Sequence, residues 1–245
     1  MGCRKLHHEL SADMLKLGVF IGRDRFFELL KRNDLLIKRR RKYTRTTDSN
    51  HPFRKYPNLF KDMEWECPNQ AWVSDITYIN SREGTLYLSL ITDAYSRKIV
   101  GYEVNDTLES VGCVKALKRA MKQLSPRERP LHHSDRGIQY CSHSYTSLLL
   151  DRGLSISMTE DNHCYENAMA ERVNGILKHE YALKEKFPNK QFARKACKQA
   201  IDLYNTGRPH LALNMRYPEQ VHQEGKKTIA YPNSLTGVRA VMCQL

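Results

Sequence analysis

Three carboxylates stand out from their surroundings. Asp75 falls inside Ala71-Trp72-Val73-Ser74-Asp75-Ile76-Thr77-Tyr78-Ile79, a β-branched and aromatic run that predicts a strand. Asp is a poor strand former, and burying it costs desolvation energy unless a cation or donor meets it. Asp135 directly follows a second short run, Leu131 to Ser134, and 35 residues separate it from Glu171 in a patterned helix. At about 100° per residue, Asn167, Glu171, Asn174 and Lys178 fall within about 60° of one direction. Met169, Val173, Ile176 and Leu177 point the opposite way, toward whatever the helix packs on. A solvated face would mix Glu, Lys and Gln, whereas one acid among amides with a lysine a turn further on has the pattern of a site. For each carboxylate taken singly, hydrogen bonding to backbone amides explains it equally well.

Together, the three would repel by roughly a few kcal/mol per pair at about 4 Å and an effective dielectric near 20. A cation must then join them. Oxygen-only ligands favour Mg²⁺ or Mn²⁺. Two such ions about 3.5 to 4 Å apart can activate an attacking oxygen and stabilise a leaving one in phosphoryl displacement. No protein nucleophile is needed, so Ser134 and Cys141 beside the site receive no covalent role.

The elements that must position these residues are predicted as strands at Ala71 to Ile79, Leu86 to Thr92 and Lys98 to Val104, with Gly84 at the first turn and Asp93 and Ser96 bounding the second. A helix over 108–123 follows, with Leu108, Val111, Val114, Leu117 and Met121 on one stripe. Then come the strand Leu131 to Ser134, a helix from Tyr145 to Leu150, a strand from Leu154 to Met158, and mostly helix over 165–206, interrupted at Pro188. This order predicts an α/β fold: a mixed five-stranded sheet, antiparallel in its first half and parallel in its second, flanked by helices. Ahead of it, Gly22 to Arg32 has Phe26, Phe27, Leu29 and Leu30 at helical spacing with Asp24 as a first-turn acid, and Leu6 to Leu17 suits a second helix. The expected organisation is a small helix-turn-helix-like segment over 1–43, an extended linker over 44–67 containing Pro52 and Pro57, a core over 68–223 and a tail over 224–245.

Charge names the kind of partner. The chain of 245 residues carries 40 Lys+Arg against 27 Asp+Glu, a net +13, and residues 1–60 hold 15 of those cations against 6 acids. Lys38-Arg39-Arg40-Arg41-Lys42 concentrates them into a run that would attract a polyanion in a salt-dependent way. The absence of an 18-residue apolar run and of an apolar stretch in Met1 to Leu10 argues against a membrane or secreted protein, so a cytoplasmic, DNA-associated location is expected. Seven scattered cysteines without a CxxC pair fit neither a disulfide framework nor a zinc ribbon; His132, His133, Cys141, His143, His163 and Cys164 lack zinc-finger spacing.

The motifs around the carboxylates resemble those of the insertion-sequence-three family of transposases, whose catalytic subunit carries a retroviral-integrase core. The likeness runs through Trp72 to Ile79, His132-His133-Ser134-Asp135-Arg136-Gly137-Ile138-Gln139-Tyr140, Glu166 to Lys178, and Tyr204-Asn205-Thr206-Gly207-Arg208-Pro209-His210 with Pro218 beyond; Asp93-Ala94-Tyr95-Ser96-Arg97 with Gly101 also fits. The resemblance implies a ribonuclease-H-like fold, and metal-dependent DNA cleavage and strand transfer with Asp75, Asp135 and Glu171 as catalytic metal ligands for two Mg²⁺ or Mn²⁺ ions. It implies transposon-end and target DNA as partners, a homo-oligomer on DNA, and a helix-turn-helix-like start matched by Gly22-Arg23-Asp24 and Thr46-Thr47-Asp48-Ser49. Met1 begins inside an element that continues upstream in the family, which makes the product of an upstream reading frame a further expected partner. Lys178 and the run Lys38 to Lys42 are expected to contact phosphate, Asn167 and Asn174 to support Glu171, and His133 to position Asp135, touch DNA or simply pack. Two other readings remain open: a nuclease that hydrolyses without joining, for which Asp93 is the candidate fourth carboxylate, and a DNA-binding descendant without chemistry.

Overall fold

A computed structural model describes residues 2–36, 51–61, 63–160 and 167–230. Strands β1 (Ala71–Ser81), β2 (Gly84–Asp93) and β3 (Ile99–Asn105) form an antiparallel meander. Gly84 ends the tight β1–β2 turn at φ +119°, a conformation L side chains rarely adopt. Strands β4 (Leu131–Ser134) and β5 (Ile156–Met158) add in parallel on the other side of β1, giving the order β3-β2-β1-β4-β5. The mixed sheet expected from the sequence is therefore present, with β1 at its centre.

Helices cover both faces. On one, α3 (Ser110–Met121), α4 (Ile138–Cys141) and α5 (His143–Asp151) enclose Trp72, Ile91 and Val100 of the sheet together with Cys113, Leu117 and Leu149. On the other, α6 (Ala168–Glu180) and α7 (Lys190–Gly207) bury Ile79, Leu88 and Leu90 against Val173, Leu177, Ile201 and Tyr204. Successive strand side chains point to opposite faces, so Asp75 shares the face of Ile79, beneath α6. Gly101 of β3 lets α3 approach closely: a Cβ there would lie 2.4 Å from the carbonyl oxygen of Ala116.

Of the helix residues expected to face the sheet, Val173, Ile176 and Leu177 are buried; Met169 is only half-buried and lies against the Arg97 guanidinium instead. The break expected at Pro188 is longer, running from Tyr181 to Asn189, because Leu183 and Phe187 leave the helix to fill the core. Phe187 accepts from the Arg82 amide and donates to the Asn80 carbonyl, each at 2.9 Å, which pins this segment to the end of β1.

Residues 51–60 are extended, as the two prolines suggest, but they are packed rather than a loose linker. The Met158 amide donates to the Pro57 carbonyl at 3.2 Å and the Leu59 amide to Ser157 Oγ at 2.8 Å, so this segment follows β5. Ahead of them, α1 (Cys3–Lys16) and α2 (Arg23–Arg32) meet where the His7 ring stands edge-on to Phe26. Phe26 and Leu30 are buried while Phe27 and Leu29 stay exposed, a narrower apolar stripe than the spacing suggests. The Tyr217 hydroxyl donates to Glu9 at 3.1 Å, tying α1 to the segment that leads into α8 (Pro218–Ala230). Among the described residues no helix is long and apolar enough to cross a membrane.

Candidate active site

Parallel pairing of β1 and β4 sets the site. Ser74 is in register with Ser134, so the next residues, Asp75 and Asp135, follow side by side. Asp135 lies in the turn after β4, where its Oδ1 accepts from the Gly137 amide at 3.0 Å. Asp75 remains within β1; its Oδ1 accepts from the Ile76 amide at 2.8 Å and its Oδ2 from Asn174 Nδ2 at 2.7 Å.

Glu171 occupies the first turn of α6, the positive end of the helix dipole. Two amides on its face hold this helix to β1. Asn167, the N-cap residue, donates Nδ2 to the Ser74 carbonyl at 3.1 Å, while Asn174 holds the Asp75 carboxylate itself. Both are buried, so this polar face of α6 clamps the helix to the sheet.

The carboxylates act on one another. Burial first, then the nearby Asp135, with Glu171 adding less, pushes the Asp75 carboxyl up to about 7 against the bonds from Asn174 and Ile76. Lys178 is half-buried on the same helix; burial lowers its amine, and attraction to Asp75 opposes the shift. Among the described residues no three His, Cys, Asp or Glu side chains stand close enough to share one ion. The three carboxylates therefore occupy one electrostatic neighbourhood without forming a closed ligand cage. Oxygen donors that oppose one another's ionisation suit a hard divalent cation.

Behind the carboxylates the packing is neutral. Burial and the adjacent His133 hold the His132 imidazole down at about 3, and its Nε2 meets Ser74 Oγ and the Tyr145 hydroxyl, each at 2.8 Å. Burial raises the Cys141 thiol to about 11, which keeps it protonated at neutral pH. His133 is fully buried, stacked on Phe60 at 4.7 Å and bonded through Nδ1 to Ser157 Oγ at 2.8 Å. Of the roles expected for it, this burial fits packing. Asp93 is also fully buried, accepting from the Asn69 amide, the Ser96 amide and the Ser96 hydroxyl, so its carboxylate is consumed by the β2–β3 turn.

His51 was invisible from sequence. Its Nε2 lies 2.8 Å from the Arg136 carbonyl, 85 residues away in the chain, and no local pattern announces such a contact. The run Lys38, Arg39, Arg40, Arg41 and Lys42, the stretch Thr46 to Ser49, and His163 and Cys164 lie outside the described residues.

Models of the integrase core domain match residues 66–164 and 152–218, which together include all three carboxylates. The chain is 32% identical over 193 residues to the transposase InsF for insertion sequence IS3A of Escherichia coli strain K12, covering 78% of this chain and 67% of that protein. The chain belongs to the insertion-sequence-three family of transposases. This transposase is also 37% identical over 228 residues to a 31 kDa protein of insertion element IS600 from Shigella sonnei, covering 91% of this chain and 82% of that one. Its fold is similar to the catalytic core domain of HTLV-2 integrase, solved in complex with magnesium, at a TM-score of 0.50 and 21% identity, covering 64% of this chain and 97% of that one. A simian T-cell lymphotropic virus intasome chain aligns over 97% of this transposase and 77% of its own length, at a TM-score of 0.55 and 17% identity.

Proposed function

We propose that this transposase cuts DNA at the end of an insertion sequence and joins the freed 3′-hydroxyl to a target, using Asp75, Asp135 and Glu171 as the residues that hold divalent metal. The observation that carries the reading is the register of β1 against β4, which sets Asp75 beside Asp135 beneath the helix that bears Glu171. Mg²⁺ or Mn²⁺ bound there would supply Lewis acidity for phosphoryl transfer.

The chain's own residues do the positioning. Asn174 fixes one oxygen of Asp75 and leaves the other side of the cluster to substrate, while Asn167 holds the start of α6 against Ser74. Lys178 lies in reach of the field of Asp75 and would balance an incoming phosphate. In the first step a water oxygen bonds to phosphorus and the bond to the 3′ oxygen breaks. In the second, that 3′ oxygen bonds to a target phosphorus and a target 3′ oxygen leaves, so the number of phosphodiesters is conserved and no external energy source is needed. Joining two ends to one target calls for more than one copy of the chain on DNA.

A strand-transfer assay with a pre-cut 3′-hydroxyl end tests this. Joined products that depend on Mg²⁺ or Mn²⁺, and vanish in Asp75→Asn, Asp135→Asn and Glu171→Gln with DNA affinity retained, are expected. Metal-dependent nicking without joining would replace the reading with that of a simple nuclease, and neither activity would leave a DNA-binding descendant.

A further inference from the structure

A cavity of about 750 Å³ lies between the N-terminal helices and α6, and its walls carry Arg4, Lys5, Arg23, Arg172 and Arg208 against only Asp24 and Glu180. Both acids are already taken: Arg208 grips Glu180 through two bonds of 2.8 Å, and Arg23 Nε donates to Asp24 at 2.8 Å. Lys5 is the residue that needs explaining. It is 8% exposed, and among the described residues its ammonium has neither a hydrogen bond nor an ion pair. Partial desolvation disfavours the charged amine, and the like charges on Arg208 and Arg172 add to that cost. Burial, then Arg208, lowers the Lys5 amine to about 8, with Glu180 opposing and Arg172 adding. The first turn of α2, capped by Gly22 without a side-chain acceptor, also contributes Arg23 and Asp24 to the wall.

This arrangement is poor as packing and apt for an anion. We propose that the cavity between α1, α2 and α6 is a phosphate site that holds a DNA backbone phosphate beside the carboxylate cluster, so that one strand is gripped by the N-terminal helices and the core together. The inference rests on the reading of the chain as a DNA strand transferase and names a surface that the reading leaves unassigned. DNA is favoured over a free anion because the cavity continues along the helix that bears Glu171. Arg172 is the next residue, Gly175 keeps the surface low between them, and His179 lies about 12 Å further along at 1.5 Å per residue, the length of a few nucleotides.

The test measures binding of a short DNA duplex to the full chain in EDTA, so that neither cleavage nor metal bridging contributes, over a range of salt. Lys5→Met is expected to weaken binding several-fold and to flatten the slope of log affinity against log salt by about 0.9, the loss of one phosphate contact. Its melting temperature should stay level or rise, because the variant removes a cation disfavoured by partial burial and by Arg208 and Arg172; a structural lysine would give a fall. Should Lys5→Met fail to fold, Arg172→Gln on the exposed wall must show the same flattening. A folded variant with an unchanged slope overturns the proposal, as does an arm in which inorganic phosphate raises the melting temperature of the wild type while the duplex slope is indifferent to Lys5. Failure here is separable from failure of the functional reading. Asp75→Asn tests chemistry without touching this cavity, and a flattened slope in Lys5→Met would stand even if no strand transfer were found.

Discussion

Asn174 on α6 donates its side-chain amide to the Asp75 carboxylate on β1 at 2.7 Å, joining the two layers at the point where the charge is concentrated. The amide is the first of two donors that hold the Asp75 carboxyl down against burial and Asp135. Its removal therefore has a direction. Asn174→Ala should raise the Asp75 pKa further, moving the acid limb of the pH–rate profile to higher pH and costing roughly 1–3 kcal/mol of stability through a buried acceptor left without its donor. A pH–rate profile and urea denaturation check both parts. Superimposable acid limbs would show that the bond has no bearing on the ionisation that activity needs.

The same residue links stability to pH. The Asp75 carboxyl lies at about 7, above the usual carboxylate value of 3.8, so the folded chain holds this proton more tightly than the unfolded one. The cost of ionising Asp75 is absent below about pH 4, grows as pH rises, and is complete above about pH 7. Asp75→Asn removes it, so in EDTA the variant's advantage in melting temperature should widen between pH 4 and 7 and then level off. Added Mg²⁺ or Mn²⁺ competes with the proton and should stabilise the wild type more at pH 8 than at pH 6, an effect lost in Asp75→Asn and Asp135→Asn and reversed by chelation. A metal-induced shift of equal size at both pH values would rule out Asp75 as a ligand.

How far the sequence reaches differs between sheet and site. Strand runs separated by turn residues announce the β1 to β5 order, because β-branched and aromatic composition and the change from short turns to helical connections are local signals. Asp75 inside one strand and Asp135 directly after another are legible singly for the same reason, whereas the register of Ser74 with Ser134 that sets them side by side has no local signal. Contacts made across long stretches of chain are not legible. His51 on Arg136, Phe60 on His133 and Lys5 beside Arg208 join segments whose local patterns contain no reference to one another. The helical wheel groups Asn167, Glu171 and Asn174 on one face but does not show that Asn167 and Asn174 turn toward β1 and clamp the helix to it.

Gly101 tests the layer behind the site. A Cβ there would fall 2.4 Å from the Ala116 carbonyl and 2.9 Å from the Ala120 amide nitrogen, both backbone atoms of α3 that cannot rotate away. Gly101→Ala should force α3 off β3 and cost about 1–3 kcal/mol, the range for overpacking. The urea midpoint should fall with an unchanged m value. A midpoint within error of the wild type would mean that α3 does not pack on β3 this closely.

The basic run from Lys38 to Lys42 supplies the last test, with Lys178 as its counterpart in the core. Adjacent cations meet phosphates along a backbone, and phosphate contacts position a protein without reading sequence. Neutralising Lys38, Arg39, Arg40, Arg41 and Lys42 together should weaken duplex binding for all sequences alike. If about three of the five touch phosphate, the slope of log affinity against log salt should flatten by roughly 3, at about 0.9 per contact. Lys178→Met removes a single charge within the field of Asp75, so it should flatten the slope by about 0.9 and lower cleavage as well as binding. At low salt the five-residue variant should keep much of its cleavage of short substrates, because the carboxylate cluster is untouched. A salt slope identical to that of the wild type would make the run a solvated connector and leave DNA binding to Lys178 and the cavity around Lys5.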